Sequence, residues 1–216
     1  RMLVLVPTRE LAVQVHGVIQ ALGKVVRLRS VAVYGGVGFA LQDDMLKKGC
    51  AIIVATPGRL LDHMGRGAIR FNELEVLVLD EADRMLDMGF LPDIQRIIAK
   101  LPKERQTMMF SATFPDEIDR LAQVMLHEPE RVSVGAIAKP VDAVRQILYP
   151  VHQGQKLMLL LDVLREQEKD IRSALVFLRT KQRTDRLAHA LRRAGLPATT
   201  IHGDLSQRQR EKALEG

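Results

Sequence analysis

The stretch Val76-Leu77-Val78-Leu79, followed at once by Asp80-Glu81-Ala82-Asp83, constrains this chain more than any other. Four apolar residues without alternation suit a strand covered on both faces, as in a parallel sheet packed under helices. Three carboxylates within four residues then fall at the end of that strand. In open α/β sheets ligands bind just outside the carboxyl ends of the strands, and a carboxylate held there by a rigid element can carry a metal ion. Adjacent Asp80 and Glu81 suit a division of labour in phosphoryl transfer, one holding Mg²⁺ through its waters and the other orienting or deprotonating an attacking water. A solvated acidic turn that caps the next helix has the same composition, so the pair by itself leaves both readings open.

The pattern of apolar run, turn and helix start repeats along the first part of the chain. Strands are expected over 2–6, 30–34, 51–55, 76–79 and 106–110, and helices between them every 20–30 residues, which defines a doubly wound α/β layer over 1–134. Pro7-Thr8-Arg9-Glu10 offers Thr8 as an N-cap and Glu10 in a first turn, with apolar spacing continuing to about Leu22. Thr56-Pro57-Gly58-Arg59 offers Thr56 as a second N-cap with Pro57 at the first helical position. Each helix start carries an arginine, and two such starts on one sheet edge can hold successive phosphates, although both are also ordinary capping. Gly35-Gly36 after the second strand permits close backbone approach or a tight turn. Ser111-Ala112-Thr113 places two hydroxyls at the edge that carries Asp80, where they can bond the acidic residues or simply cap a helix. After the acidic stretch, Met85, Leu86, Phe90, Ile94, Ile97 and Ile98 read as the apolar face of one helical region. A linker is expected over 135–142. A second α/β layer is expected over 143–216, with strands over 146–151, 174–177 and 199–201 and helices over 156–166, 180–193 and from 206 onward.

Charge separates the same two parts. Residues 1–138 hold 17 Lys/Arg and 17 Asp/Glu, whereas 139–216 hold 15 and 9, so the net +6 lies wholly in the second part. That surplus suits a polyanionic partner or a solvated basic face. Aromatic residues make up 4% of the chain and Trp is absent, which favours gripping a phosphate backbone over stacking bases if nucleic acid is bound. The single cysteine, Cys50, excludes an internal disulfide and a thiolate-rich zinc site, and it reads as a buried small hydrophobe. No apolar run is long enough to span a bilayer, and the expected setting is soluble and cytoplasmic, with no membrane partner.

Pro7-Thr8-Arg9-Glu10-Leu11-Ala12, Gly35-Gly36, Thr56-Pro57-Gly58-Arg59, Asp80-Glu81-Ala82-Asp83 and Ser111-Ala112-Thr113 resemble, in order, the motifs of the DEAD-box RNA helicases, bacterial members in style. Residues 177–180, His202-Gly203-Asp204, and Gln207 with Arg210 resemble that family's second-domain signatures. The resemblance implies two RecA-like parallel-sheet domains in tandem, which close on ATP, Mg²⁺ and single-stranded RNA and open short duplexes locally. It implies that Asp80 holds Mg²⁺ through water and Glu81 positions the hydrolytic water. Asp83, Ser111 and Thr113 would couple the nucleotide site to RNA and to the other domain. Thr8, Arg9, Gly36, Thr56, Gly58 and Arg59 would line the RNA backbone path, joined by Thr180, Gly203, Gln207 and Arg210.

One departure counts against activity of this chain alone. The phosphate-loop pattern G-x-x-x-x-G-K-[S/T] does not occur in the 216 residues, and Gly23-Lys24 is followed by Val25. The family's later arginine motifs are also missing, and removing such arginines costs roughly 10³–10⁵ in rate. The expectation is therefore an internal piece of an ATP-dependent RNA helicase, with both domains truncated and the chain inactive by itself. The competing expectation is a non-catalytic RNA-binding or scaffold protein that has lost its nucleotide site.

Overall fold

Five strands, all parallel, form one sheet in the computed structural model: β1 (Met2–Leu5), β2 (Ser30–Val33), β3 (Ile52–Ala55), β4 (Val76–Leu79) and β5 (Gln106–Met109), in the spatial order β2-β3-β1-β4-β5. The structure describes residues 1–133, 144–166, 171 and 173–215, so the linker expected over 135–142 lies outside the described residues. The chain divides into two compact units, Arg1–Lys139 and Pro140–Gly216.

In the first unit six helices alternate with the strands: α1 (Arg9–Val26), α2 (Phe39–Lys47), α3 (Pro57–Gly65), α4 (Ala82–Asp87), α5 (Leu91–Ile98) and α6 (Asp116–Met125). Both faces of the sheet are apolar, as the unbroken hydrophobic runs require. Leu3, Leu5, Ile53, Ala55, Leu77 and Leu79 point to one face and pack with Leu60 of α3, Met85 of α4, Ile94 and Ile97 of α5 and Ile118 of α6. Val4, Val54 and Val78 alternate to the other face, where α1 supplies Leu11, Ala12, Val15 and Ile19 at helical spacing.

Two boundaries differ from the sequence expectation. The apolar stretch after the acidic residues is two helices, because Met88–Phe90 turns the chain and Gly89 takes φ +79°, a left-handed conformation that ends α4. Helix α1 continues past Leu22 to Val26, where Arg27 adopts φ 58° and closes the helix. Cys50 is half-buried against the main core rather than enclosed by it, and burial pushes its thiol pKa up.

The second unit carries α7 (Lys156–Glu166), preceded by a 3-10 turn at Gln153–Gln155, then α8 (Lys181–Arg193) and α9 (Gln207–Glu215). The three helices fall where expected. The strands expected over 146–151, 174–177 and 199–201 do not: among the described residues none of these segments is paired. A parallel strand exists through the ladder to its neighbours, and Leu148, Leu175 and Phe177, which a covered sheet would enclose, are exposed. No helix among the described residues is long and apolar enough to cross a membrane.

Candidate functional site

Register makes the site. Val33, Ala55, Leu5, Leu79 and Met109 are level with one another across the five strands, so every following loop leaves from the same edge. Along that edge the order is Gly35-Gly36, Thr56–Arg59, Thr8-Arg9, Asp80-Glu81 and Ser111–Thr113. At about 4.8 Å per strand the row is roughly 19 Å long. It brings the first-domain residues singled out by sequence to one line and sorts them, with glycines and arginines on β2, β3 and β1 and acids and hydroxyls on β4 and β5.

In the acidic half, Asp80 and Glu81 are both half-buried. Asp80 N–H donates to the Leu5 carbonyl at 3.0 Å, which ties the loop to the central strand. Asp80 Oδ1 accepts the Glu81 N–H at 3.0 Å, and Oδ2 takes no hydrogen bond among the described residues. Glu81 sits at φ 50°, ψ 52°, a left-handed conformation that costs a non-glycine residue about 1 kcal/mol or more. Neighbouring bonds hold it there. Ala82 N–H donates to the Phe110 carbonyl at 3.0 Å, and Arg84 Nη1 reaches Glu81 Oε2 at 3.0 Å.

Asp83 is the hub between β4 and β5. Its Oδ2 accepts the Thr113 N–H at 2.9 Å and the Thr113 hydroxyl at 2.8 Å, while Oδ1 accepts the Arg84 N–H at 3.0 Å. Ser111 completes the link: its Oγ accepts the Asp83 N–H at 3.1 Å and donates to the Thr113 carbonyl at 2.7 Å. Burial by itself raises the Asp83 carboxyl, but the bonds from Thr113 and Arg84 outweigh it and hold the pKa below the usual carboxylate value. Ser111 and Thr113 therefore engage the acidic residues and do not serve as a helix cap.

Among the described residues no three His, Cys, Asp or Glu side chains gather to hold a metal by themselves. Mg²⁺ is commonly held by one or two carboxylates and completed by waters and phosphate oxygens, so Asp80, with one oxygen engaged at its own backbone, fits a water-mediated anchor.

In the basic half, Thr8 caps α1 by accepting the Leu11 N–H at 3.3 Å. Arg9 lies along Gly35-Gly36: a Cβ at Gly36 would stand 2.5 Å from Arg9 Nη1, and Gly36 has φ +85°. Glycine at 36 is thus required by its backbone, whereas the Arg9 guanidinium, the far end of a flexible side chain, could give way. Gly58 is different. A Cβ there would meet nothing within 4 Å, and its backbone is not left-handed, so the protein itself has no need of glycine in the first turn of α3. The same open space surrounds Gly203 in the second unit. Thr56 occupies the N-cap position of α3 with Pro57 next, yet its side chain makes no capping bond. Arg59 Nη1 donates to the Val37 carbonyl at 2.8 Å, and its guanidinium lies 4.0 Å from the centre of the Phe39 ring. Arg66 stacks on the same ring at 3.8 Å.

Sequence reasoning missed what lies beneath this half. Gln42 of α2 and His63 of α3 are both fully buried, and His63 Nε2 meets Gln42 Oε1 at 2.9 Å. Gln42 Nε2 donates to the Tyr34 carbonyl at 2.9 Å. His63 Nδ1 lies 2.9 Å from Asp43 Oδ1, without hydrogen-bond direction between them. Burial pushes the His63 pKa down and the Asp43 carboxylate opposes it, with a net fall. The available signal was positional, because Phe39, Gln42 and Leu46 share one stripe of α2, and Leu60 and His63 one stripe of α3.

In the second unit Thr180 caps α8 by accepting the Arg183 N–H at 3.4 Å. The His202–Asp204 turn is tied to that helix twice, by His202 Nε2 to Asp185 Oδ1 at 3.0 Å and by Lys181 Nζ to Asp204 at 2.7 Å. Gln207 and Arg210 share a face of α9, with Arg210 Nη1 3.5 Å from Gln207 Oε1.

A doubly wound parallel sheet with acidic and basic loops in line at its carboxyl edge defines a RecA-like α/β protein of helicase type. Residues 1–121 match the DEAD/DEAH box helicase family and residues 155–216 the helicase conserved C-terminal domain, and the chain belongs to the DEAD-box RNA helicases with the two-domain, RecA-like architecture of that family. It is 46% identical over 212 residues to the DEAD-box ATP-dependent RNA helicase CshA of Geobacillus kaustophilus, covering 98% of this chain and 45% of that protein. It is 44% identical to the protein of the same name from Bacillus subtilis and 43% identical to the ATP-dependent RNA helicase CshA of Listeria monocytogenes, again over 98% of this chain but 42% and 40% of theirs. The chain thus spans less than half the length of the curated relatives it matches.

Proposed function

We propose that the whole protein hydrolyses ATP in response to RNA and uses the cycle to open short RNA duplexes, and that this chain carries part of that machinery. The observation that carries the reading is the sorted edge: a carboxylate pair fit for Mg²⁺ and water lies beside arginine-bearing loops, with the Asp83 network at the acidic end. Mg²⁺ bound with ATP supplies charge neutralisation at the transferring phosphoryl group. Asp80 would hold the ion through its waters, with Oδ2 the oxygen left for them because Oδ1 accepts the Glu81 N–H. Glu81, held left-handed at the strand end, presents its carboxylate to a water and takes that water's proton. Arg84 Nη1, 3.0 Å from Glu81 Oε2, fixes the direction of that carboxylate.

Thr8, Arg9, Gly36, Thr56, Gly58 and Arg59 line the RNA backbone path on the first unit, and Thr180, Gly203, Gln207 and Arg210 line it on the second. Gly58 and Gly203 support this, since open space at an unstrained glycine leaves room for a phosphate or sugar to approach the backbone. Arg59 is largely spent on Val37 and Phe39, so it acts chiefly by fixing the loop and by its charge. The Asp83, Ser111 and Thr113 bonds join the strand that carries Glu81 to the next loop of the edge, a route by which nucleotide and RNA states can be coupled.

The test is phosphate release by the whole protein, with and without single-stranded RNA. Release should rise with RNA and collapse in Glu81→Gln, with RNA binding retained. Release unaffected by that substitution would remove Glu81 from the role. RNA binding that ignores both ATP and Glu81→Gln would instead support the non-catalytic scaffold.

A further inference from the structure

The strongest feature outside the motifs is the buried polar bridge of Gln42 and His63. Both side chains are fully buried, where a polar group left without a partner costs about 1–3 kcal/mol. An aliphatic pair would join α2 to α3 without that risk. The hydrogen bonds of the bridge run toward the functional edge, while the other ring nitrogen of His63, Nδ1, lies 2.9 Å from Asp43 Oδ1 on α2. Gln42 Nε2 holds the Tyr34 carbonyl, the last one before Gly35-Gly36, at 2.9 Å. Because that contact needs the amide nitrogen, Gln42 turns its oxygen to α3 and accepts from His63 Nε2–H at 2.9 Å. On the far side of the glycines, Arg59 of α3 holds the Val37 carbonyl at 2.8 Å. A loop of Gly35, Gly36 and Gly38 has high intrinsic freedom, yet it is pinned at both ends by side chains that lead to one helix.

We infer that Gln42 and His63 are positioning residues for RNA: they lock the Gly35-Gly36 loop to α3, so that Arg9 and the Thr56–Arg59 turn present a single preorganised surface to the RNA backbone. The inference rests on the backbone path proposed above and adds two residues that touch no RNA. Arg9 depends on the arrangement directly, because its guanidinium occupies the space that the Gly36 conformation leaves open. If the Tyr34 carbonyl is released, the loop and Arg9 lose their common reference, and binding must then supply the ordering.

The experiment measures the affinity of the whole protein for a fluorescent single-stranded oligouridine at low salt, together with thermal stability. Gln42→Met keeps the volume and removes both bonds. Gln42→Glu keeps an acceptor for His63 and removes the donor to Tyr34. Arg59→Ala removes a charge of the path together with the loop's other pin, and Ile97→Val in the α5 core supplies comparable destabilisation far from the edge. Both Gln42 variants are expected to weaken binding about tenfold well below their melting temperatures, while Ile97→Val leaves it unchanged. A folded Gln42 variant that binds within twofold of the parent while Arg59→Ala is impaired overturns the inference alone. Absence of RNA binding by the parent, or an Arg59→Ala variant equal to it, overturns the backbone path and the inference with it. A measurement on the unaltered chain covers the case in which neither Gln42 variant folds. Backbone ¹⁵N order parameters at Gly35–Val37 should be near 0.85, and values below about 0.6 overturn the locked loop.

Discussion

Replacing Asp83 by alanine removes one carboxylate and, with it, three hydrogen bonds: two from Thr113, at 2.9 and 2.8 Å, and one from the Arg84 N–H at 3.0 Å. A sheltered bond to a charged group contributes about 1.5–3 kcal/mol, but Thr113 is exposed and its donors will be rehydrated, so the three together are worth roughly 2 kcal/mol. At about 3–4 °C per kcal/mol for a domain of this size, the melting temperature should fall by about 6–8 °C at pH 7. The pH dependence separates this cause from general damage. The folded carboxyl lies below its ordinary pKa, so its contribution is fully present above the unfolded value of about 4 and is lost as pH falls through the folded value. Calorimetry of parent and variant between pH 7 and pH 2 should therefore show a gap that is constant at neutral pH and closes in acid. A gap under 1 °C at pH 7, or one that survives undiminished at pH 2, would refute the reasoning.

Gly58→Ala should leave the first unit as stable or up to about 1 kcal/mol more stable, because alanine suits a helix and the added carbon meets no neighbour. The same change should weaken RNA binding several-fold, and unchanged affinity would detach Gly58 from the path. His63 has a folded pKa below its ordinary 6.5, so its contribution is present above pH 6.5 and lost as pH drops below it. Urea unfolding at pH 7.5 and 5.5 should show that loss in the parent and a flatter response in His63→Gln. Lys181 holds the Asp204 carboxyl below its usual value, so Lys181→Met should let it rise, read from the Asp204 carboxyl carbon in an NMR titration.

Much of the first unit is legible in residues. Runs such as Leu77 to Leu79 can form little but a covered strand, and Thr8, like Thr180 in the second unit, announces a helix start that the structure makes with a side-chain bond. Thr56 shows the limit of such signals: position and Pro57 both fit, and the capping bond is absent. The second unit was less legible. Apolar runs at 146–151 and 174–177 have strand composition, but strand formation is a property of pairs, and composition carries no information about whether a neighbour is in place.

The sequence by itself determined the alternation of strand and helix in the first unit and the family, and it nominated the residues on which chemistry is proposed to rest, because each depends on local spacing and residue type. Tertiary structure decided how those residues are arranged. The strand order and register, which result from long-range packing, put the acids and hydroxyls on β4 and β5 and the arginines and glycines on β2, β3 and β1. Packing also forced Glu81 into a left-handed conformation against its own preference and turned Thr113 toward Asp83, 30 residues away. Gln42 and His63 had no local signature of function, since their meaning lies in the carbonyl and the helix that they join across 29 residues of chain from Tyr34 to His63.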